Sequence, residues 1–246
     1  NDSFDESHIA ITYCPLTGTG IGWDRQILGE VTTFGVSGLL YNSNLIPYDR
    51  LTESNWSQML NKGIHGEMID SEAKTYTLLE TNWATWKKMF PDSRVLSTNT
   101  GFKRNYQHNP YGNYKEKPDL LFPVEPLDER LSSKERVLGI IRKDQAKTYR
   151  FNNFSDSITL VRDTFQQKEF ILVGNKQQNL LVAFENQTME NRETNLGFKP
   201  VQDALPVIME DETGSRWNVF GEAVTGPNKG KKLKKTRSMI GFWFVW

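Results

Sequence analysis

Short runs of β-branched and aromatic residues, interrupted by Gly, Asn and Asp, recur along most of this 246-residue chain. Runs of about five to seven such residues are typical of strands, and the residues between them are typical of turns. We predict strands at residues 9–13, 20–25, 32–41, 45–49, 75–79, 93–97, 137–141, 148–151, 157–161, 169–174, 180–185, 206–210 and 217–220. The pattern predicts a mainly β protein with a barrel-like or paired-sheet fold.

Helical periodicity is scarce, and the best candidate covers residues 81–90. Trp83 and Trp86 are three residues apart, which places them on one face of a helix. Thr81 is the expected N-cap, and Pro91 ends the helix. A weaker candidate for a short helix lies at 131–135, so we expect few short helices overall.

Residues 98–135 contain four prolines, two glycines and three tyrosines. The prolines and glycines break regular elements, whereas the tyrosines are unusual for a flexible linker. We therefore expect a long, Pro/Tyr-rich ordered loop packed on the surface, of a kind that is often functional.

Six of the seven tryptophans form two sets with matching spacing. The sets are Trp56, Trp83 and Trp86, separated by 27 and 3 residues, and Trp217, Trp243 and Trp246, separated by 26 and 3. The residues before the first tryptophan of each set also match: TESNW at 52–56 aligns with TGSRW at 213–217. Similarity at a long period indicates a duplicated unit, with chance as the alternative.

The duplication sets the expected domain organisation. We predict one compact domain over residues 1–246, with pseudo-repeated halves at about 8–97 and 136–246 joined by the loop 98–135. The chain continues past Trp86 in the first half but stops at Trp246 in the second. We therefore expect that a C-terminal tail is missing after Trp246.

Composition excludes several classes of protein. Thirty Lys and Arg balance thirty Asp and Glu, and this zero net charge argues against binding to nucleic acid. Mean hydropathy is −0.58, and no apolar run approaches the roughly 18 residues of a membrane-spanning segment. A single cysteine excludes a disulfide framework and a multi-cysteine zinc site. The polar opening without Met predicts a mature or trimmed chain.

Two places have side chains suited to chemistry, each with a structural alternative. Cys14 follows a predicted strand and is either a thiolate nucleophile or metal ligand, or a small buried side chain. Asp49 and Arg50 either line a pocket as a charged pair, or belong to a turn with Thr52 and Ser54. The three histidines fit no zinc-hydrolase spacing.

Motifs spread over nearly the whole chain are those of one family. They are TYCPLTG at 12–18, FGVSGLLYNSNL at 34–45, YDR at 48–50, WATW at 83–86, RVLS at 94–97, NPYGNY at 109–114, KERVLG at 134–139 and FWFVW at 242–246. Together they resemble the bacterial and archaeal family called domain of unknown function 3179, whose name states no activity. The resemblance implies signature positions at Cys14, at 42–49 with Arg50 and at 109–114, whereas His65 and His108 depart from it.

The resemblance also implies export, by a signal peptide or with a lipid anchor upstream of this chain. We expect an extracytoplasmic protein, periplasmic or at the cell surface, that binds a small ligand in a cleft between two β-rich halves. The expected ligand-binding residues are Asn42, Asn44, Asp49, Arg50, Trp56, Arg104, Tyr106 and Tyr111.

Two alternatives to ligand binding stay open. One is a thiol-dependent enzyme or metal-binding protein that uses Cys14 as its catalytic residue or ligand. The other is a structural or interaction protein without a small-molecule site. The residues identify no cofactor, no particular metal and no oligomeric state.

Overall fold

The computed structural model describes residues 1–190 and 196–246. Among these residues the strands form six sheets, none of which closes on itself, together with a single α-helix. The prediction of a mainly β protein is therefore confirmed. The chain divides into two compact units. Unit one comprises Asn1–Leu78, Asn113–Val137 and Met239–Trp246, and unit two comprises Leu79–Gly112 and Leu138–Ser238.

Unit one is built mainly from ten short strands of its N-terminal segment. They are β1 (Asp2–Phe4), β2 (Ser7–Cys14), β3 (Thr19–Asp24), β4 (Gln26–Ile27), β5 (Glu30–Val31), β6 (Phe34–Tyr41), β7 (Asn44–Asp49), β8 (Asn55–Ser57), β9 (Lys62–His65) and β10 (Thr75–Tyr76). One sheet has the order β1–β2–β3–β10, a second has the order β6–β7–β8–β9, and β4 pairs with β5. Neighbouring strands pair antiparallel, which short hairpin connections allow.

Three aromatic rings form the centre of unit one. Trp23 stacks on Phe34 with 5.4 Å between ring centroids, and Trp56 meets both rings edge to face at 6.4 and 6.2 Å. Edge-to-face pairs are favourable because the positive ring edge meets the negative ring face. The rings come from β3, β6 and β8, so they pack residues of two sheets into one core.

Unit two contains the α-helix and most of the remaining strands. These are α1 (Trp83–Met89), β11 (Arg136–Arg142), β12 (Gln145–Arg150), β13 (Thr159–Phe165), β14 (Lys168–Asn175), β15 (Leu180–Thr188), β16 (Phe198–Pro200), β17 (Val207–Asp211), β18 (Arg216–Asn218), β19 (Ala223–Thr225) and β20 (Leu233–Lys235). Two four-stranded sheets have the orders β13–β14–β15–β20 and β16–β17–β18–β19, and β11 pairs with β12.

The chain crosses between the units four times, and two of these crossings lie within strands. β11 begins in unit one and continues in unit two, and β21 (Ser238–Phe242) begins at the last residue of unit two and continues in unit one. Short 3₁₀ helices lie at Tyr114–Glu116 and Trp243–Val245 in unit one and at Phe151–Asn153 in unit two.

The core of unit two lies on β14 and β15. Phe170, Ile171, Leu172 and Val173 are consecutive in β14, and all four are fully buried. Consecutive buried residues point to opposite faces of a strand, so this sheet is covered on both faces. Ile171 and Val173 belong to a cluster that also contains Trp217.

The helix lies where the tryptophan spacing predicts it. Its N-cap is Asn82, whose side-chain oxygen accepts the backbone N–H of Thr85 at 2.8 Å, and Phe90 follows its last residue. The predicted cap, Thr81, instead donates its hydroxyl to the carbonyl of Gln178 at 2.7 Å. The boundary therefore shifts because the side chain of Asn82 satisfies one of the free N–H groups of the first turn.

Two of the short predicted elements are wrong. Residues 93–97 form no strand, and Val95 and Leu96 are both exposed there, so this run buries neither face. Residues 131–135 form a turn, in which Glu135 donates its N–H to the carbonyl of Ser132 at 2.8 Å. Residues 98–135 are irregular apart from Tyr114–Glu116, as expected for a loop.

In the part of the chain that the structure describes, none of the helices is long and apolar enough to cross a bilayer. The single compact domain and its pseudo-repeated halves stay predictions.

Truncating the β14 core tests its contribution to stability. We expect Ile171→Ala to lower the free energy of unfolding by about 2–5 kcal/mol, because the deletion leaves a cavity between closely packed side chains. Thr164→Ala on the neighbouring strand β13 is the matched control, since Thr164 is exposed and its loss costs at most about 0.5 kcal/mol. Urea denaturation measures both variants, and equal losses would contradict the assignment of β14 to the core.

Candidate ligand-binding site

A buried carboxylate organises the turn after β7 in unit one. One oxygen of Asp49 accepts the backbone N–H groups of Leu51 at 3.1 Å and Thr52 at 2.7 Å. The other accepts the Thr52 hydroxyl at 2.8 Å and the indole N–H of Trp56 at 2.9 Å. A buried charge needs such donors, and these four fix the turn and the indole ring together.

The same arrangement occurs after β17 in unit two. One oxygen of Asp211 accepts the backbone N–H and the hydroxyl of Thr213, at 2.9 and 2.6 Å, and the N–H of Ser215 at 3.1 Å. The other accepts the indole N–H of Trp217 at 2.8 Å and the side-chain amide of Asn228 at 2.9 Å. We call each arrangement an Asp–Trp motif, Asp49–Trp56 in unit one and Asp211–Trp217 in unit two.

Each Asp–Trp motif includes a phenylalanine from the strand before its aspartate. Phe34 is the ladder partner of Asp49, and Phe198 is the ladder partner of Asp211. Each phenyl ring meets the indole of its own motif edge to face, at 6.2 Å in unit one and 5.7 Å in unit two. The two motifs therefore agree in backbone pairing and in ring packing as well as in hydrogen bonds.

A serine in each motif reveals one difference between the units. The hydroxyl of Ser54 accepts the backbone N–H of Met68 at 3.0 Å, and that of Ser215 accepts the N–H of Asn228 at 2.9 Å. Met68 and Asn228 are therefore equivalent in backbone position. The Asn228 amide donates to the carboxylate, whereas the thioether of Met68 has no hydrogen to donate, so the Met68 side chain is free for another role.

A cavity of about 340 Å³ lies beside the Asp–Trp motif of unit one. Trp23, Phe34, Trp56 and Met68 line its apolar part, together with the β4–β5 hairpin. Three charged residues of the lining, Asp24, Glu72 and Lys74, are more exposed than the aromatic rings. The volume and the mixture of aromatic walls with a few polar groups are typical of small-molecule sites, for which volumes start at about 300 Å³.

A family model described as a protein of unknown function (DUF3179) matches residues 1–246. The chain belongs to this family. Comparisons with curated proteins and with solved structures give no match.

Of the predicted site residues, Trp56 lines the cavity and Asp49 holds it there. Arg50 follows Asp49 but is exposed, and its guanidinium donates to the Thr33 hydroxyl and the Phe34 carbonyl, both at 3.0 Å. Its charge also lies over the ring of Tyr48, at 5.4 Å from the ring centroid. Asp49 and Arg50 therefore have different partners, although they are adjacent in the DUF3179 signature.

Asn44 belongs to a buried polar network. Its amide donates to the hydroxyls of Thr17 and Thr19, at 2.9 and 3.0 Å, and to the carbonyl oxygen of Gln58 at 3.0 Å. The Gln58 amide donates in turn to the hydroxyl of Thr12 at 2.8 Å. A buried network of this kind positions its members precisely, because breaking one bond leaves a buried polar group without a partner.

Cys14 is buried in unit one, with 1% of its surface exposed. Its thiol donates to the carbonyl of Ser43 at 3.4 Å. Its apolar neighbours are Leu16, Tyr114, Val124, Phe242 and Phe244. Within residues 1–190 and 196–246, no group of three or more His, Cys, Asp and Glu is placed to hold a metal ion. The thiol-dependent or metal-binding alternative stays a prediction.

The remaining predicted residues are not among those that line the aromatic cavity. The Asn42 amide donates to the carbonyl of Glu125 at 2.9 Å, which ties the β6–β7 turn to the C-terminal part of the 98–135 loop. Arg104, Tyr106 and Tyr111 belong to unit two, and all three are exposed. Their role in a ligand site stays a prediction.

Sequence reasoning missed several cavity residues. Trp23 has a signal, because it is the one tryptophan outside the two matching sets. Met68, Glu72 and Lys74 have none, since they lie on irregular chain whose path depends on distant pairing. Phe34 lies in a signature motif, but nothing in that motif marks it as part of a cavity.

The Asp211 carboxylate generates a prediction about pH. Burial raises its pKa, but the hydrogen bonds from Thr213, Asn228 and Trp217 outweigh burial and lower the pKa below its usual value of 3.8. A lowered pKa stabilises the fold above the unfolded-state value, and this stability is lost as the pH falls through the folded-state value.

We expect Asp211→Asn to lower the free energy of unfolding at pH 7 by about 1–3 kcal/mol, because the new amide hydrogens face donors. The difference in free energy of unfolding between wild type and variant narrows below pH 3.8, because the wild type then loses the stability that the ionised carboxylate contributes. Urea unfolding across the acid range measures the gap. The exposed Asp203→Asn is the control, and a gap that stays constant with pH would contradict the assignment.

The glycine that closes the unit-two motif gives a second test. Gly226 has a φ of +83°, and a Cβ there would lie 2.5 Å from the Cα of Ser215. Gly230 has a φ of +90° but nothing within 4 Å of a Cβ. Both Ala variants pay for left-handed backbone, so Gly226→Ala is expected to be less stable than Gly230→Ala by more than about 1 kcal/mol. Thermal unfolding compares them, and equal midpoints would contradict close packing at Ser215.

Proposed function

We propose that this DUF3179 protein binds a small molecule in the aromatic cavity of unit one. The observation that supports the proposal is the lining of this cavity of about 340 Å³. Its walls are mainly apolar, and they also include three charged residues, Asp24, Glu72 and Lys74. Apolar walls bind the body of a ligand, and a few charged groups orient it.

The aromatic walls are held rigidly, which favours binding. The Trp56 indole N–H is bonded to Asp49, and that of Trp23 donates to the Thr12 hydroxyl at 2.7 Å. Because both polar ends are satisfied within the protein, the rings meet a ligand with apolar surface. A preformed wall avoids the cost of ordering side chains on binding.

A cavity of about 350 Å³ also lies beside Asp211 in unit two, but charged residues and glycines form most of its lining, so the aromatic walls support unit one as the ligand-binding unit. In unit two the Asn228 side chain is engaged by Asp211, whereas the equivalent Met68 of unit one lines the cavity. A flexible thioether adapts well to ligands of different shape. We also propose that the two motifs arose by duplication, as the pseudo-repeated halves imply, and that only unit one uses its motif for binding.

The charged residues point to the chemical class of the ligand. Asp24 and Glu72 suit a cationic or hydrogen-donating group, and Lys74 suits an anionic one. We propose a small molecule with an apolar or aromatic body and a charged end. An extracytoplasmic location, which the family resemblance implies, belongs to the same proposal.

Filling the cavity tests the proposal. Indole, tryptamine and indole-3-acetate serve as probes, and two-dimensional NMR follows the indole N–H signals of Trp23 and Trp56. We expect at least one probe to shift both signals in the wild type and to shift neither in Ala73→Phe, whose ring occupies the cavity. Ala84→Phe, on the exposed face of α1, is the matched control and keeps binding.

The charged residues provide a second measurement that needs no large side chain. Lys74→Gln is expected to weaken the binding of indole-3-acetate and to leave the binding of tryptamine unchanged. Glu72→Gln is expected to weaken the binding of tryptamine and to leave that of indole-3-acetate unchanged. If all three probes leave the Trp23 and Trp56 signals unchanged, or bind Ala73→Phe as tightly as the wild type, the cavity is not their binding site.

A further inference from the structure

An exposed loop in unit two has large apolar side chains that none of the described residues of this unit covers. Every residue from 94 to 112 is exposed, and we call this segment the exposed loop. Leu96 is 82% exposed and Phe102 is 74% exposed, and Val95, Tyr106 and Tyr111 are exposed as well. Exposed apolar residues concentrated in one segment mark interaction sites more often than scattered ones do.

Hydrogen bonds within the exposed loop hold it in this form. Asn105 accepts the backbone N–H of Gln107 at 3.1 Å, and Asn109 accepts that of Tyr111 at 3.0 Å. The Asn109 amide also donates to the carbonyl of Gly112 at 2.8 Å. These Asx turns satisfy backbone groups locally, so the loop presents its aromatic rings from short fixed turns rather than from extended chain.

The charge of the exposed loop is entirely positive, in contrast to that of the whole chain. Arg94, Lys103 and Arg104 lie within it, and no Asp or Glu occurs between residues 93 and 112. Over the whole chain the two signs cancel. A local concentration of cations beside apolar groups attracts a surface that is both anionic and able to accept apolar side chains.

We propose that the exposed loop docks on the surface of an anionic lipid bilayer. Val95, Leu96 and Phe102 insert at the boundary between headgroups and acyl chains, and the two tyrosines lie at headgroup depth. The three cations pair with anionic headgroups. A nucleic acid would engage the cations and stack on the aromatic rings, but it would leave the aliphatic pair Val95 and Leu96 in water.

Binding to vesicles tests this inference, and it does so independently of the cavity ligand. Phosphatidylcholine vesicles with and without phosphatidylglycerol are floated with the whole protein at low salt and at about 0.3 M NaCl. We expect binding to require phosphatidylglycerol and to weaken at least tenfold in the higher salt. Binding that ignores both lipid charge and salt would overturn the proposal.

Substitutions separate the apolar part from the electrostatic part. Val95→Ser with Leu96→Ser, and Arg94→Gln with Lys103→Gln and Arg104→Gln, are each expected to lower vesicle binding about tenfold or more. Val36→Ser is the apolar control, because Val36 is 81% exposed on β6. The charge control is Lys176→Gln with Lys229→Gln and Lys235→Gln, three exposed lysines elsewhere in unit two. Both controls keep wild-type binding.

Each remaining outcome also decides the question. Equal losses in control and loop variants would assign any binding to general surface charge and overturn the docking site. Binding to single-stranded DNA that is lost in the charge variant but unchanged in the Val95/Leu96 variant would favour a nucleic acid and overturn the lipid proposal. The substituted side chains are all exposed, so circular dichroism is expected to show unchanged folding.

Discussion

A buried carboxylate that accepts an indole N–H is the interaction on which both units depend. Asp49 and Asp211 are each at the end of a strand, and burying their charge is favourable only because every oxygen finds donors. Those donors are the backbone of the next turn and a tryptophan on the following strand. One side chain therefore fixes the turn, the strand pairing and the position of a large ring, and losing it would leave several buried donors without an acceptor.

The cavity of unit one follows from this anchoring. Because Asp49 holds the N–H end of Trp56, the ring packs edge to face on Phe34 and Trp23 and forms a preformed wall. The same motif in unit two has Asn228 as an additional donor to its carboxylate. Met68 occupies the equivalent backbone position in unit one, so the two motifs differ at this side chain. At this position unit one therefore has an apolar side chain at its cavity, whereas unit two has a further hydrogen bond to its carboxylate.

Local chemistry was predictable from the sequence, and long-range packing was not. The match between residues 52–56 and 213–217 predicts both turns and both tryptophans, because the hydroxyls and the indole lie within a few residues of each other. The same offset aligns Asp49 with Glu210, however, whereas the carboxylate that binds the indole of Trp217 is that of Asp211. Pairing Asp49 with Arg50 in one pocket is harder to justify, since neighbouring residues of an extended chain point to opposite sides. The surroundings of Cys14 could not be predicted, because Tyr114 and Phe242, which belong to the same buried cluster, come from distant parts of the chain.

Net charge describes the whole chain and therefore does not predict the charge of one segment. A zero total argues against a chain that is basic throughout, but it states nothing about how the charges are distributed. Residues 93–112 lack any acid, so the exposed loop is basic within a neutral protein. The adjacent apolar residues Val95 and Leu96 explain why a strand was predicted at residues 93–97: the composition that suits a buried strand also suits insertion into a lipid interface. What distinguishes the two is whether a neighbouring strand covers the run, and around Val95 and Leu96 none does among the residues described.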